Sequence, residues 1–354
     1  MKNLIGGKFV DASNGEKADV INPATNELID TVPLATEEDV DLCVKEAAKA
    51  QKGWAKMPLH ERGDILYKFA DLVEANHEEL AQLLSKETGK PIKEARAEIS
   101  NTKHFVHGYV EKAKHDYGNV IPAGSEVGQE KTMQITVQQP LGVVACIIPF
   151  NFPCDLFGQK VPSALIMGNS VIVKPSTDNP LTLHRYCELL KDAGVPDGVI
   201  NCISGRGSVT GNALAKHPQV ALISVTGSTE VGAEVMANAA ANITHVMLEL
   251  GGNDAFIVMN DADMELTMKE LVWGRLYNTG QVCCASKRFL VQKGIKDEFI
   301  KKAVETLQSL KVAMPQQEDA DIGCLINEKA AINAEEQVRK TRFGVFNNVW
   351  FSSI

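Results

Sequence analysis

The 354-residue chain predicts an α/β fold: a doubly wound parallel sheet followed by a second, smaller α/β unit. Three observations carry this. From Gly142 to Leu250, short apolar runs alternate with amphipathic stretches, β then α. The runs VVACII, VIV and ALISV are almost continuously apolar, as in strands buried on both faces. After Gly252 the alternation restarts with DAFIVM. The expected domains are therefore residues 1–250 and 251–354.

Taken in order, residues 1–33 read as short strands and turns, with Gly6-Gly7 and Asn14-Gly15 as turn signals and GGKFVDASNG as a hairpin. Thr36 with Asp39 marks a helix start, followed by the apolar stripe Val40, Val44, Ala47, Ala48. Pro58 opens a second helical stretch carrying Ile65, Phe69, Leu72 and Val73 at helical spacing, which Gly89-Lys90-Pro91 interrupts. A third helix runs from Ile92 to His115. His104 and His107 share its surface, but no third ligand is near in sequence, so no metal site is read there.

A β pattern follows at 133–137. The alternating region then predicts strands Gly142–Ile148, Ser170–Lys174, Val199–Ser204, Ala221–Thr226 and Val246–Leu250. The helices between them are near Phe152–Met167, Pro180–Ala193, Ser208–Lys216 and Thr229–Asn242. Gly194 stops the second of these helices. Beyond Gly252 come a helix from Ala262 to Tyr277, a strand Arg288–Val291, a helix Lys296–Leu310 and a helical stretch Ala334–Lys340. The uncharged, aromatic segment Phe343–Ile354 breaks the pattern and leaves the second unit short.

Composition narrows the function classes. A net charge of −9 argues against nucleic acid or an anionic membrane surface as the main partner. The eight cysteines form no CxxC pair and share no ligand spacing with the eight histidines, so neither a disulfide framework nor a zinc site is expected. Dispersed thiols, no apolar signal core at the N-terminus and no long apolar run fit a cytoplasmic protein.

Five motifs could carry chemistry. SGRGSVTG, Ser204–Gly211, joins a strand to a helix with glycines at 205, 207 and 211; its spacing is GxGxxxG, and it fits a plain turn as well as a phosphate loop. VTGSTEVG, Val225–Gly232, repeats the arrangement at the next strand. Two such turns at consecutive strand ends favour a nucleotide site. Lys174 ends the strand VIVK beside Pro175, placed either to reach a ribose or to snorkel to solvent. Asn151 in PFNFP is flanked by rings that fix its backbone, so its amide is either a preorganised donor or a turn asparagine. The last motif is a pair: Glu249 in LELGG, at the end of what reads as a central strand, and Cys283 in GQVC. A carboxylate is costly to bury at such a strand end without a purpose, and a lone thiol is usually structural.

Together LELGGND, GQVC, PFNFP, KPS and VTGS, in these positions, resemble the NAD(P)-dependent aldehyde dehydrogenase superfamily, from about Phe9 to Lys340. Within it the chain is most similar to succinate-semialdehyde and lactaldehyde dehydrogenases. The resemblance implies Cys283 as nucleophile, with Cys284 a neighbour without that role. It implies Glu249 as general base and Asn151, with the Cys283 backbone N–H, as oxyanion donors. It implies that residues 1–250 bind NAD or NADP. Lys174 would hold the adenosine ribose, Gly227, Ser228 and Val231 the pyrophosphate, and Gly207 and Gly211 the adenine end. Ile147, Ile148, Pro149, Phe150, Ser176, Thr177, Thr226 and Leu250 would complete the cofactor bed. A hairpin arm near 116–140 would serve oligomerisation.

The implied reaction oxidises an aldehyde to an acid through a thiohemiacetal and a thioester, with succinate semialdehyde as one substrate. Coenzyme-A-acylating relatives typically lack the glutamate, so Glu249 favours hydrolysis. Three departures stand out. Thr177 occupies the place where NAD-preferring members often carry a glutamate, which admits a 2′-phosphate. Tyr277 stands where some succinate-semialdehyde enzymes carry an arginine, with Arg275 two residues earlier. Family character ends near Thr341, without the ExFGP segment that would hold the nicotinamide ribose, as a truncation or frameshift would produce. The alternative function is a shortened remnant that binds nucleotide without turnover. A cysteine hydrolase fits less well, because no histidine accompanies a cysteine in a nucleophile motif.

Overall fold

The structure, a computed structural model, describes residues 1–343, with side chains to residue 340; the expected aromatic tail lies almost wholly outside these. The chain begins with a hairpin, β1 (Asn3–Ile5) and β2 (Lys8–Val10). Its turn is Gly6-Gly7, both at positive φ, so the hairpin is centred earlier than the GGKFVDASNG reading placed it. A second antiparallel pair follows, β3 (Lys17–Ile21) and β4 (Leu28–Pro33).

Thr36 and Asp39 form a reciprocal capping box at the start of α1 (Glu37–Trp54), as expected, and Val40, Val44 and Ala47 are buried. The stretch after Pro58 is two helices, α2 (Leu59–Ala75) and α3 (His77–Thr88). They part at Asn76, whose side-chain amide donates to the Leu72 carbonyl and so competes with the helix ladder. After the left-handed Gly89, Pro91 leads into α4 (Ile92–Lys114). The 116–140 segment carries a short ribbon, β5 (Val120–Ile121) against β6 (Gln134–Ile135), with Val120, Met133 and Ile135 exposed.

The alternating region then builds β7 (Val143–Ile147), α5 (Pro153–Ile166), β8 (Ser170–Lys174), α6 (Leu181–Ala193) and β9 (Ile200–Cys202). A single wide turn, Gly207–Gly211, leads into α7 (Asn212–Lys216), β10 (Val220–Thr226), α8 (Thr229–Ala239) and β11 (His245–Glu249). These strands pair in parallel in the order β11-β10-β7-β8-β9, and β1 and β2 extend the far edge antiparallel. Helices cover both faces. Leu66, Phe69, Leu84, Phe157, Leu165 and Tyr186 pack on one side, and Val40, Val44, Leu214 and Val235 on the other. This is the doubly wound sheet that the apolar runs predict.

One strand departs from that expectation. β11 is an edge strand, not a central one, and His245, Met247 and Glu249 on it are exposed. The second unit follows: β12 (Asp254–Val258) parallel to β13 (Ser286–Val291), with α9 (Met264–Leu276) between them and α10 (Lys296–Ser309) after. Val258, Met268, Leu271 and Phe299 form its small core. The segment that continues from it returns to the first unit. Pro315 accepts from the Ile92 N–H at 2.7 Å, and Cys324 donates to the Gly89 carbonyl at 3.2 Å. α11 (Glu328–Phe343) closes the described chain.

Candidate active site

The strand order reverses beside β7: β8 and β9 lie to one side, β10 and β11 to the other. An open α/β sheet leaves a crevice at such a point, outside the carboxyl ends of the diverging strands. Here those ends are Ile147-Ile148-Pro149-Phe150-Asn151 after β7 and Thr226-Gly227-Ser228 after β10. Two motifs separated by some 75 residues of sequence thus become neighbours.

The sequence-predicted cofactor residues sit along this edge. Ile148 is buried and continues the ladder, donating to the Lys174 carbonyl at 3.0 Å; Ile147, Pro149 and Phe150 are half-buried. The Phe150 carbonyl accepts from the buried Asn179 amide at 2.9 Å. Lys174 does not snorkel. It is 5% exposed, its Nζ donates to the Pro175 carbonyl at 3.0 Å, and burial holds its pKa down at about 8. Ser176 and Thr177 are half-buried in the turn that follows, where the Ser176 hydroxyl accepts from the Asp178 N–H.

Across the crevice, Ser228 caps α8 by accepting from the Val231 N–H at 3.3 Å, and the Gly227 N–H donates to the Glu249 carbonyl. Val231 is exposed on the first turn of α8, and Gly232 is packed under Leu250: a Cβ there would lie 2.9 Å from a Leu250 methyl. Thr226 is buried with its hydroxyl oxygen lacking a partner.

Farther along the same edge, past β9, the glycines of SGRGSVTG divide. A Cβ on Gly205 would fall 1.8 Å from the Thr210 hydroxyl, so that glycine is required by packing. A Cβ on Gly207 or Gly211 would meet nothing within 4 Å; Gly207 is exposed and Gly211 is buried. The orphaned Thr226 hydroxyl, the singly bonded Lys174 ammonium and the open ground at Gly207 are what a nucleotide would need to find. The residues present fit such a group.

The three segments that carry Asn151, Glu249 and Cys283 meet. The Asn151 side-chain amide donates to the Gln281 carbonyl at 3.0 Å, two residues before Cys283. The loop after Glu249 meets the same segment: Lys287 Nζ bridges the Gly252 carbonyl at 2.5 Å and the Cys283 carbonyl at 3.1 Å. A Cβ on Gly252 would lie 3.1 Å from that Cys283 oxygen, so the two loops pass in close contact at this glycine. Cys283 and Cys284 are exposed, whereas the five cysteines at 43, 146, 154, 187 and 202 are buried. Burial, then the adjacent Cys283, raises the Cys284 thiol.

Glu249 is exposed at the end of the edge strand, so it is not the costly buried carboxylate that a central strand would have made it. Its position rather than its burial singles it out. Lys160, buried on α5 and donating to the Ser224 hydroxyl at 2.9 Å, is a cation within its electrostatic reach.

The Asn278–Gly280 turn before Gln281 is strained. Asn278 and Thr279 hold φ of 50° and 56°, unusual for residues with side chains. The Asn278 amide donates to the Asn151 carbonyl at 2.8 Å, and its N–H to Glu94 at 2.8 Å. Tyr277 stacks on Phe152 at 5.6 Å and packs on Trp273 at 4.3 Å. Arg275 turns to the Gly280 carbonyl at 3.5 Å. Sequence reasoning missed Lys90, Glu94 and Glu98, which lie under this turn. Gly89-Lys90-Pro91 read only as a helix breaker. The signal was there in two glutamates at i, i+4 on the helix face that the apolar stripe buries.

A profile of the aldehyde dehydrogenase family matches residues 9–343. The chain belongs to that family. Among characterised relatives it is 39% identical over 338 residues to D-glyceraldehyde dehydrogenase (NADP(+)) from Picrophilus torridus, covering 96% of this chain and 67% of that one. It is 36% identical over 335 residues to succinate-semialdehyde dehydrogenase [NADP(+)] from Escherichia coli, covering 95% and 69%. Among solved structures it superposes on succinate-semialdehyde dehydrogenase from Burkholderia pseudomallei with a TM-score of 0.93 at 34% identity, covering 96% and 70%. A point variant of betaine aldehyde dehydrogenase from Staphylococcus aureus in complex with NAD+ gives 0.93 at 33%, covering 96% and 68%. The chain thus spans about two thirds of the length of these family members. No described helix is long and apolar enough to cross a membrane, and no described cluster of His, Cys, Asp or Glu could hold a metal.

Proposed function

We propose that this chain oxidises a small polar aldehyde to the carboxylic acid with NAD or NADP. Residues 1–250 would supply the cofactor bed and residues from 251 the nucleophile. The supporting observation is the bond from the Asn151 amide to the Gln281 carbonyl, beside the contact of Gly252 with the Cys283 carbonyl. They support the reading because they join the segments that carry Asn151, Glu249 and Cys283.

In this reading the Cys283 thiolate adds to the aldehyde carbon. A C–S bond forms and the carbonyl π electrons move onto oxygen. The Asn151 amide has two hydrogens; Gln281 takes one, and the other meets the oxyanion with the Cys283 N–H. A nicotinamide cofactor held along the Lys174 and Gly227-Ser228 edge would supply the acceptor for the hydride that the C–H bond releases as the oxyanion re-forms its carbonyl. The carbon is then a thioester on Cys283. Glu249, exposed to solvent, takes a proton from water as the water attacks. The C–S bond breaks and the acid leaves.

Relatives named for succinate semialdehyde make it the first substrate to try, and D-glyceraldehyde, the substrate named for two others, the second. The exposed 116–140 ribbon is proposed as the surface for a second copy.

The test is NAD(P)H formation over an aldehyde panel, with Cys283→Ala alongside. The variant is expected to lose turnover and keep nucleotide binding. Wild-type turnover in Cys283→Ala would refute the nucleophile assignment. Nucleotide binding without turnover in the unmodified chain would favour the non-catalytic alternative.

A further inference from the structure

We propose that Lys90 is a positioning residue: its buried ammonium holds the main chain of Asn151 and, through it, the turn that leads to Cys283.

Lys90 and Glu98 are each fully buried and paired. Lys90 also donates to the Asn151 carbonyl at 2.9 Å and lies 3.9 Å from the centre of the Phe152 ring. The Asn151 carbonyl is shared, taking the Asn278 amide on its other side at 2.8 Å. Glu98 accepts from the Cys154 and Asp155 N–H groups at 2.8 and 3.3 Å, the opening of α5. Glu94, one turn earlier on α4, takes the Asn278 N–H. One face of α4 thus grips both the start of α5 and the Asn278–Gly280 turn, and Lys90 is the only cation among these partners.

Withdrawing an ion pair from water is expensive, and joining two helices does not require it, since apolar residues of similar volume usually do as well. What the charge adds is a directed, charge-assisted bond to one carbonyl. That carbonyl belongs to the residue whose side chain is the oxyanion donor. Turning its peptide plane would move the Asn151 amide and release the hold on a turn that two left-handed side-chain-bearing residues already strain. The catalytic meaning of this hold rests on the roles proposed above for Asn151 and Cys283; the bonds themselves do not.

The experiment is a cycle of Lys90→Met, Asn151→Ala and the double variant. Two rates are followed, with thermal melting as the fold control. One is aldehyde-dependent NAD(P)H formation, split into kcat and KM. The other is acylation of Cys283 by p-nitrophenyl acetate, which uses nucleophile and oxyanion donor without hydride transfer. There the C–S bond forms, the aryl ester C–O bond breaks and p-nitrophenolate leaves.

Lys90→Met is expected to lower kcat and the acylation rate by about 10- to 100-fold, less than the roughly 100- to 1000-fold of a deleted oxyanion donor because the Asn151 amide is displaced and not removed, with KM for the aldehyde shifting by less than about threefold. In the Asn151→Ala background the same change is expected to add less than about threefold, because its effect acts through Asn151. Fully multiplicative losses, or a folded Lys90→Met with wild-type kcat, would overturn the assignment. Should Lys90→Met not fold, Glu98→Gln takes its place in the cycle, with the same expected and overturning results: it keeps an acceptor for the α5 N–H groups and weakens the hold on Lys90. A wild-type chain that is acylated but oxidises no aldehyde refutes the oxidation reading while the acylation rates still test Lys90. A chain that does neither overturns both.

Discussion

Gly205→Ala tests whether the turn after β9 is held open by packing. An alanine Cβ would stand 1.8 Å from the Thr210 hydroxyl oxygen, 2.8 Å from the Thr210 Cβ and 3.3 Å from the Ala35 carbonyl oxygen. Thr210 is fully buried, and its hydroxyl donates to that same carbonyl at 3.0 Å. Both atoms cannot keep their places, so Thr210 must turn and surrender its bond. Overpacking of this kind costs about 1–3 kcal/mol. A stranded buried polar group adds about 1–3 kcal/mol. The sum, about 2–6 kcal/mol, is a large part of an ordinary domain's stability.

Urea unfolding should show the midpoint falling at unchanged slope. Gly205→Ala/Thr210→Ala, which removes the hydroxyl that is struck, should recover part of the loss. Gly211→Ala should behave oppositely. Its backbone is right-handed helical and a Cβ there meets nothing within 4 Å, so stability should hold or rise by about 0.4–1 kcal/mol. A Gly205→Ala protein as stable as wild type, or a double variant no better than the single, would refute the packing argument.

Three further outcomes are expected. Lys174→Met should weaken nucleotide binding by about 10- to 100-fold, the worth of a charged hydrogen bond, and Thr177→Glu should turn the NADP-to-NAD affinity ratio against NADP by at least about tenfold. Titration calorimetry with each cofactor measures both, and an unchanged ratio would refute the reading of Thr177. Stability should also fall between pH 5 and pH 8. Burial raises the Glu87 and Glu94 carboxyls from 4.5 to about 7, so the folded chain binds more protons than the unfolded chain in that window and loses stability as pH rises through it. Urea midpoints at pH 5 and pH 8 measure this. Glu94→Gln should flatten the slope, and a rise in stability over the same interval would contradict the assignment.

The strands β7 to β10 were legible because burial on both faces forces continuous apolar runs, and the helices between them because one buried face leaves a 3.6-residue stripe. Thr36 and Gly194 were legible because capping and the left-handed conformation admit few residue types. Asn76 was not. A single side-chain bond to the Leu72 carbonyl divides α2 from α3, and asparagine inside a helical pattern does not announce it. The edge position of β11 was hidden as well, since strand order depends on which neighbours pair, and so the expectation that Glu249 is buried failed.

The sequence by itself determined the residue types of the candidate site: a thiol in GQVC, a carboxylate in LELGG, an amide in PFNFP and a lysine closing VIVK. Each motif is a run of neighbouring residues and can be read without knowing what packs against it. Only the tertiary structure decided that the Asn151 amide meets the Gln281 carbonyl and that Gly252 lies against Cys283. It also decided that Lys90, Glu94 and Glu98 stand beneath them as one buried set of charges. Such contacts join residues far apart in the chain, and no periodicity records them. They exist because the sheet reverses its order beside β7 and because α4 presents to that crevice a face whose carboxylates need partners.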